Sequence, residues 1–440
     1  MFKLSKIKLV SLAITGIFTV MLILAWPVYQ TLAHKSKIAF LPFYRFIAIP
    51  EESPGREVLH NPAYQNAAEQ MLPLLTRHKT AINAPAISAA VAIDNELIWA
   101  GVAGWADIEE KKPVTTESQF RIGSTAKALT GTALARMVDA GQIALDQPIS
   151  TYMQDLPNRQ WQQITPRQLA SHMAGLPHYK ENTDYLGFYK TLTLSTRYEQ
   201  VEDALSVFDS SELLFSPGSD FSYSSLGTVL LSAVMENALE TPYLDIMQQA
   251  VFTPLKMQAT MAEFKGESSS NLASFYWNDE GRSQKVRQWR KVDLSHRLAG
   301  GGFISTSSDL VKMGMAVLRD DFISPATRKT FWTPQTLPDG SEAPQGYSLG
   351  WRVLTRKIDN ELGEITFANH GGVSRGAQSW LMVIPEYQMS VAVNINANTE
   401  VFWDFAKVSM QIAKAFIKVR VQAKNSLYSK AAGQVKNSAG

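Results

Sequence analysis

Strand-like segments lie toward both ends of this chain with a mostly helical stretch between them, and that arrangement restricts the fold more than any other feature. Ala86–Ile93 is a short apolar run, Asp94-Asn95 is a turn signal, and Leu97-Ile98-Trp99-Ala100 resumes the pattern, which predicts a hairpin. Strand character returns over 347–354, 365–369, 379–384 and Met389–Ile395. A helix is predicted over 124–141, where Leu129, Ala133, Leu134, Met137 and Val138 recur at helical spacing and Gly141 marks the stop. Residues 142–290 read as mostly helical, interrupted by polar and aromatic loops. Residues 401–424 read as a closing helix whose lysines and Arg420 form a solvated face. These segments fit an α+β fold: one antiparallel sheet completed by both chain ends, with a helical region inserted.

The amino terminus is a separate unit. Lys3, Lys6 and Lys8 precede residues 9–28, which carry no charge. About twenty apolar residues span a bilayer as a helix, and basic residues in front favour a cytoplasmic N-terminus. The run exceeds the usual core of a cleaved signal, so an anchor is preferred to a signal sequence cut at His34 behind Thr31 and Ala33. The expected division is 1–33 anchor or signal, 34–60 a stalk broken by Pro42, Pro50 and Pro54, 61–425 a globular body, and 426–440 a disordered tail rich in Lys, Ser, Ala and Gly. This places a single-pass protein in the inner (cytoplasmic) membrane, its body facing the periplasm or another extracytoplasmic side. A net charge of +2 and no basic aromatic patch argue against a nucleic-acid partner. The lack of cysteine excludes disulfides, thiolate metal sites, a cysteine nucleophile and a lipoprotein anchor.

The chemistry centres on Ser124 and Lys127. Residues three apart share a helix face, so the hydroxyl and the amine meet. A serine hydroxyl needs a base, and a lysine serves when burial or a neighbouring charge keeps it neutral. Tyr223, in Phe221-Ser222-Tyr223-Ser224-Ser225, follows the turn pair Pro217-Gly218 and precedes a helix. Beside a cationic lysine its phenolate is stabilised, so it takes and returns a proton. Asn369-His370-Gly371-Gly372-Val373 ends a strand, and its glycines let a ligand lie against the backbone. The Val373 and Ser124 amides are the candidate oxyanion donors.

Together these motifs resemble the class C β-lactamase, DD-peptidase and esterase superfamily, and within it the LACTB-type serine hydrolases. Ser124-Thr125-Ala126-Lys127, Tyr223-Ser224-Ser225 and His370-Gly371-Gly372 match its three signatures. Residues 164–176 (ITPRQLASHMAGL), Asp293-Leu294-Ser295, residues 299–306 (AGGGFIST) and Leu349-Gly350-Trp351 resemble further hallmarks, and the likeness covers roughly 80–415. The resemblance implies a β-lactamase/transpeptidase-like fold, an antiparallel sheet flanked by helices with an all-helical region, the site lying between them. It makes Ser124 the acylated nucleophile, Lys127 its proton acceptor or electrostatic partner and Tyr223 the proton shuttle. Ser225, His370, Gly371 and Gly372 then bind substrate, with Val373 as oxyanion donor and no metal or cofactor. Two departures stand out. Ser225 replaces an asparagine, and His370-Gly371 replaces the Lys-Thr or Lys-Ser that grips a carboxylate; a neutral imidazole binds a carboxylate less strongly than an ammonium does. The resemblance therefore implies an esterase or peptidase with a small-molecule or peptide acyl substrate, leaving β-lactam reactivity open. The alternative is a catalytically idle penicillin-binding-type receptor for peptidoglycan or peptides, which has no need to keep Ser124, Lys127 and Tyr223 together.

Other signals carry less. Residues 372–376 fit G-x-S-x-G, but that elbow requires a following helix and a later histidine, and no histidine follows His370. His172 and His178 lack zinc-site spacing, and His172 reads as a structural histidine bonded to backbone. Gly300 to Gly302 lack the Lys-Ser/Thr of a phosphate loop. For Tyr179, Tyr185, Phe188 and Tyr189 two readings stand open: a wall of the cleft, or a peripheral lid.

Overall fold

The computed structural model describes residues 6–34, 38, 46–266, 269–278 and 284–437. Its principal sheet contains β1 (Gly55–Leu59), β2 (Ala86–Ile93), β3 (Glu96–Asp107), β4 (Arg352–Asp359), β5 (Gly363–Ser374), β6 (Ala377–Ile384) and β7 (Met389–Ile395). Their order is β4-β5-β6-β7-β2-β3-β1, and Lys112–Pro113 adds a short eighth strand on β3. Every pairing is antiparallel. The seam between the two ends of the chain is β7 on β2, with Met389 opposite Ile93 and Ile395 opposite Ile87. The expected α+β sheet, closed by both chain ends, is the observed one. The longer helices are α1 (Lys6–His34), α2 (Met71–Ala81), α3 (Ala126–Asp139), α4 (Tyr185–Thr193), α5 (Ser225–Leu239), α6 (Ser307–Ala316) and α7 (Val408–Asn437).

Both faces of the sheet are covered, which explains why β2 is apolar at nearly every position. Side chains alternate across a strand. Ile87, Ala89, Val91 and Ile93 enter one core with Leu75 of α2 and Ile412 and Phe416 of α7. Ala90 and Ala92 enter the other with Leu310 and Met313 of α6, and with α3 and α5. The small residues on that second face let α6 lie close to β7 and β2. On the outer side of α7, Lys414 pairs with Asp359 at 2.8 Å, Lys418 with Glu361 and Arg420 with Asp94. These tie the helix to the sheet's turns, and as solvent-exposed pairs they contribute little to stability.

Several expected boundaries move. Part of the stalk belongs to the body: Ile47–Ala48 pairs with Lys285–Gln288, and β1 forms an edge of the main sheet. Residues 35–37 and 39–45 of the stalk lie outside the described residues. The stretch 142–290 is less helical than its composition suggests and holds strands Met261–Ala262, Tyr276–Asn278 and Lys285–Gln288. The strand expected at 347–354 begins only at Arg352, because Gly350 takes a left-handed turn (φ 75°) and leaves Tyr347 in a loop. The segment 365–369 extends to Ser374, so His370 to Val373 lie within a strand rather than at its end. α7 continues to Asn437, through most of the tail expected to be disordered. α1 is one helix over the expected anchor, with its apolar side chains from Ile7 to Leu24 exposed. Its far end meets the body: Thr31 Oγ1 donates to Leu192 O at 2.8 Å and the Tyr189 hydroxyl to Leu24 O at 2.8 Å.

One buried ion pair fixes the approach to Ser124. Arg121, in the strand Phe120–Arg121, donates from Nε and Nη2 to both oxygens of Glu263 at 2.6 Å, with both side chains almost wholly buried. Replacing Glu263 by alanine leaves that charge uncompensated, which costs about 3–5 kcal/mol. The expected result is a lower denaturant midpoint at unchanged slope; an unchanged midpoint shows the pair to be dispensable.

Candidate active site

Ser124 lies in the single turn Gly123–Thr125 that opens α3. Gly123 sits at φ 50°, and a Cβ there would come within 2.7 Å of the Val373 carbonyl. Its counterpart is Gly372, where a Cβ would lie 1.8 Å from Ile122 O. The serine turn and β5 therefore meet backbone to backbone, which fixes Ser124 against the sheet. Gly372 serves that contact and is closed off from a ligand, contrary to its expected role. Gly371 and Val373 do line the cleft.

Lys127 is buried directly behind the serine, 1% exposed. Its Nζ lies 2.8 Å from Gly300 O, 2.9 Å from Ser225 Oγ and 3.4 Å from Ser124 Oγ. Burial, reinforced by Arg297 and Arg352, pushes its pKa well below the usual lysine range. A neutral amine donates to Gly300 and Ser225 and keeps a lone pair for the Ser124 hydroxyl. Ser225, expected to bind substrate, borders the cleft and also holds Lys127 in this orientation.

Tyr223 stands at the expected loop–helix junction, because Ser224 caps α5 by accepting from Gly227 N at 2.9 Å. It lines the cleft together with Ser124, and its ring lies 4.8 Å from Lys127 Nζ. The expected phenolate is not supported. Burial pushes Tyr223 up to about 12, more than Arg352 and Ser124 pull it down, and the amine beside it is itself driven toward neutrality. Both shifts favour a free amine beside a protonated phenol. The turn is held by two histidines: His172 Nδ1 accepts from Ser224 N at 3.3 Å and His178 Nδ1 from Ser225 N at 3.1 Å. Burial lowers both, His178 to about 3, so they remain neutral acceptors. His172 is thus the backbone-bonded histidine expected.

His370 corrects a second expectation. It lies within β5 with its side chain fully buried; Nε2 lies 3.1 Å from the Tyr347 hydroxyl and Nδ1 2.8 Å from Gly371 O. It orients Tyr347, whose ring lies 6.0 Å from that of Tyr223, and does not reach a ligand. The cleft itself, about 350 Å³, is walled by Ser124, Tyr223, His178, Tyr179 and three arginines, Arg297, Arg352 and Arg375. Sequence reasoning missed Tyr347 and the arginines, although each lies beside a quoted motif: Tyr347 and Arg352 flank Leu349-Gly350-Trp351, Arg297 precedes 299–306, and Arg375 follows Val373. The aromatic loop divides between its two readings: Tyr179 walls the cleft, Tyr189 bonds to α1, and Tyr185 is exposed. Among the described residues no three His, Cys, Asp or Glu side chains gather to hold a metal.

A family model described as Beta-lactamase matches residues 74–413. The serine beta-lactamase-like protein LACTB, mitochondrial, of Homo sapiens is 29% identical over 410 residues, covering 75% of this chain and 74% of the relative. Penicillin-binding protein 4* of Bacillus subtilis (strain 168) is 26% identical over 259 residues, covering 56% of this chain and 55% of its own length. Among solved structures, the octameric penicillin-binding protein homologue from Pyrococcus abyssi superposes with a TM-score of 0.64 at 21% identity, over 80% of this chain and 77% of that one.

Proposed function

The chain belongs to the beta-lactamase family of serine hydrolases, and on that premise we propose that it is a membrane-anchored acyl hydrolase, an esterase or peptidase, working through an acyl-enzyme on Ser124. The observation that carries this reading is the Ser124–Lys127–Tyr223 cluster, with a buried amine behind the serine and a phenol beside them in the same cleft. The Ser124 hydroxyl attacks the substrate carbonyl while Lys127 takes its proton. A C–O bond forms, and the oxyanion is held by the Ser124 and Val373 amides, which the Gly123–Val373 contact brings together. Collapse breaks the bond to the leaving group. Tyr223 protonates that group and recovers the proton from Lys127. Water then cleaves the ester, releasing the acid and restoring the serine. The apolar helix Lys6–Ala33 supports a single membrane pass, and the lysines before it support an extracytoplasmic body.

The test is intact mass and peptide mapping of the full-length protein in detergent after a fluorophosphonate. One adduct on the peptide bearing Ser124 is the expected result. A folded protein without an adduct overturns the proposal and leaves the receptor reading.

A further inference from the structure

The last turns of α1 are seated in the body, with Thr31 and Ala33 buried. Thr31 Oγ1 donates to Leu192 O in α4, and Arg290 Nη2 donates to Thr193 O at 2.5 Å and to Thr31 Oγ1 at 3.5 Å. Farther back along α1, the Tyr189 hydroxyl donates to Leu24 O, in a region where Pro27 has withdrawn one ladder bond. α4 therefore runs antiparallel to α1: each step toward its start leads from Thr31 toward Leu24. The uncharged stretch 9–28 matches the thickness of a bilayer's apolar layer, and Leu24 lies roughly 6 Å inside the end of that stretch along the helix axis. Tyr185, one turn before Tyr189 on the same face, and Leu186 are 87% and 65% exposed. The fold thus leaves two apolar side chains uncovered at the end of α4 that points toward the apolar part of α1. Trp26 and Tyr29 of α1 stack at 5.4 Å at the same level, and amphipathic rings collect at headgroup depth.

We infer that the start of α4, through Tyr185 and Leu186, docks the body onto the lipid leaflet from which α1 emerges, so that the protein meets the bilayer at two places. This rests on the membrane-anchor reading of α1. The occupant is lipid because the patch continues the apolar surface of α1, whose side chains from Ile7 to Leu24 are exposed. The insertion is shallow: Asp184 caps α4 by accepting from Gly187 N at 2.7 Å and from Ser210 Oγ at 2.8 Å, and a carboxylate is kept out of the apolar layer by its desolvation cost. Docking also places the cleft. Tyr179 of the cleft wall closely precedes Tyr185, and the chain between them reaches at most about 22 Å. Trp289 lies 5.9 Å from Arg375 of the cleft, and its neighbour Arg290 holds Thr31 of α1. The cleft is thus carried close to the headgroups, where an acyl substrate that partitions into the leaflet meets it.

The chain has no cysteine, so a single introduced thiol reports one position. The experiment labels Leu186→Cys, Leu22→Cys and Glu386→Cys with an NBD fluorophore. Each full-length variant is reconstituted into vesicles of phosphatidylcholine and phosphatidylglycerol, with and without lipid that carries a nitroxide on its acyl chain. Leu22 is an exposed position of α1. Glu386 is exposed past the far end of β6, whose near end at Ala377 packs with Trp289. The expected result is blue-shifted emission and loss of intensity to the nitroxide at Leu186 and Leu22, while Glu386 is quenched by aqueous iodide instead. Lipid quenching at Leu22 with Leu186 open to iodide overturns the docking and leaves the anchor standing. Lipid quenching at Leu186 but not at Leu22 sustains the docking and sinks the transmembrane reading. Lipid quenching at neither overturns both. Blue-shifted emission at Leu186 without lipid quenching assigns this face to a protein, such as a second copy, and overturns the docking.

Discussion

Replacing Lys127 by methionine should slow acylation of Ser124 by at least about 10³-fold, within the range of a lost general base. The amine lies 3.4 Å from Ser124 Oγ and is fixed by Gly300 O and Ser225 Oγ. Tyr223, which burial keeps protonated, and Ser225, which holds the amine, are not competent bases at neutral pH. Methionine keeps the volume of the stem and removes the lone pair, so cooperative unfolding is retained while reactivity falls. The double variant Ser124→Ala/Lys127→Met should be no slower than Ser124→Ala alone, because the two groups act as one device. The pH dependence has a definite sign. Lys127 is held well below its ordinary pKa by burial, with Arg297 and Arg352 adding to it, and only the free amine accepts a proton. Fluorophosphonate labelling should therefore plateau above that depressed pKa and fall about tenfold for each unit below it. Arg352→Gln removes one of the flanking charges and should shift that limb to higher pH. A flat profile, or a Lys127→Met rate within a few-fold of wild type, assigns the base elsewhere.

Much of this site was legible because its parts are local. Ser124 and Lys127 share one helical face, so their spacing alone places them together, and the Tyr223 junction follows from a turn pair and a Ser cap. The seam of the sheet was legible for a different reason: β2 and β7 are buried on both faces and read as continuous apolar runs. What the sequence hid depends on contacts between distant segments. His370 looks like a ligand-gripping residue until Tyr347, more than twenty positions earlier, is seen on its Nε2. Gly372 looks like room for a ligand until Ile122 O fills that room. The Tyr223 phenolate was inferred from one neighbour, the lysine, whereas burial acts on both groups at once and reverses the sign. The arginines carry no periodicity or motif of their own; only folding shows that Arg297, Arg352 and Arg375 share one cleft. The stalk fails for a related reason, since an edge strand such as β1 is specified by its partner β3 more than by its own composition.

Tyr223→Phe should leave a protein that acylates good esters and stalls on poor ones. Lys127 takes the Ser124 proton in the first step, so the phenol is needed chiefly to deliver a proton to the leaving group. A 4-nitrophenolate departs without that help, and its release should slow about tenfold. An alkoxide or amine does not, and there the loss should approach about 10³-fold, within the span of general acid catalysis. The variant's deficit should therefore grow with the basicity of the leaving group, while Lys127→Met loses comparably on every substrate. Deacylation recruits the same relay for water, so an acyl adduct on Ser124 should accumulate and be seen by intact mass after a 4-nitrophenyl ester. Burial keeps Tyr223 protonated up to about pH 12, so the wild-type profile should show no loss from its ionisation at neutral pH. The hydroxyl is the only atom removed, and the ring keeps its contacts with His172 and Tyr347, so the turn that carries Ser225 stays in place. A uniform loss across leaving groups, with no adduct, would make Tyr223 a positioning residue for Ser124 and pass the proton delivery to the Ser225–Lys127 pair.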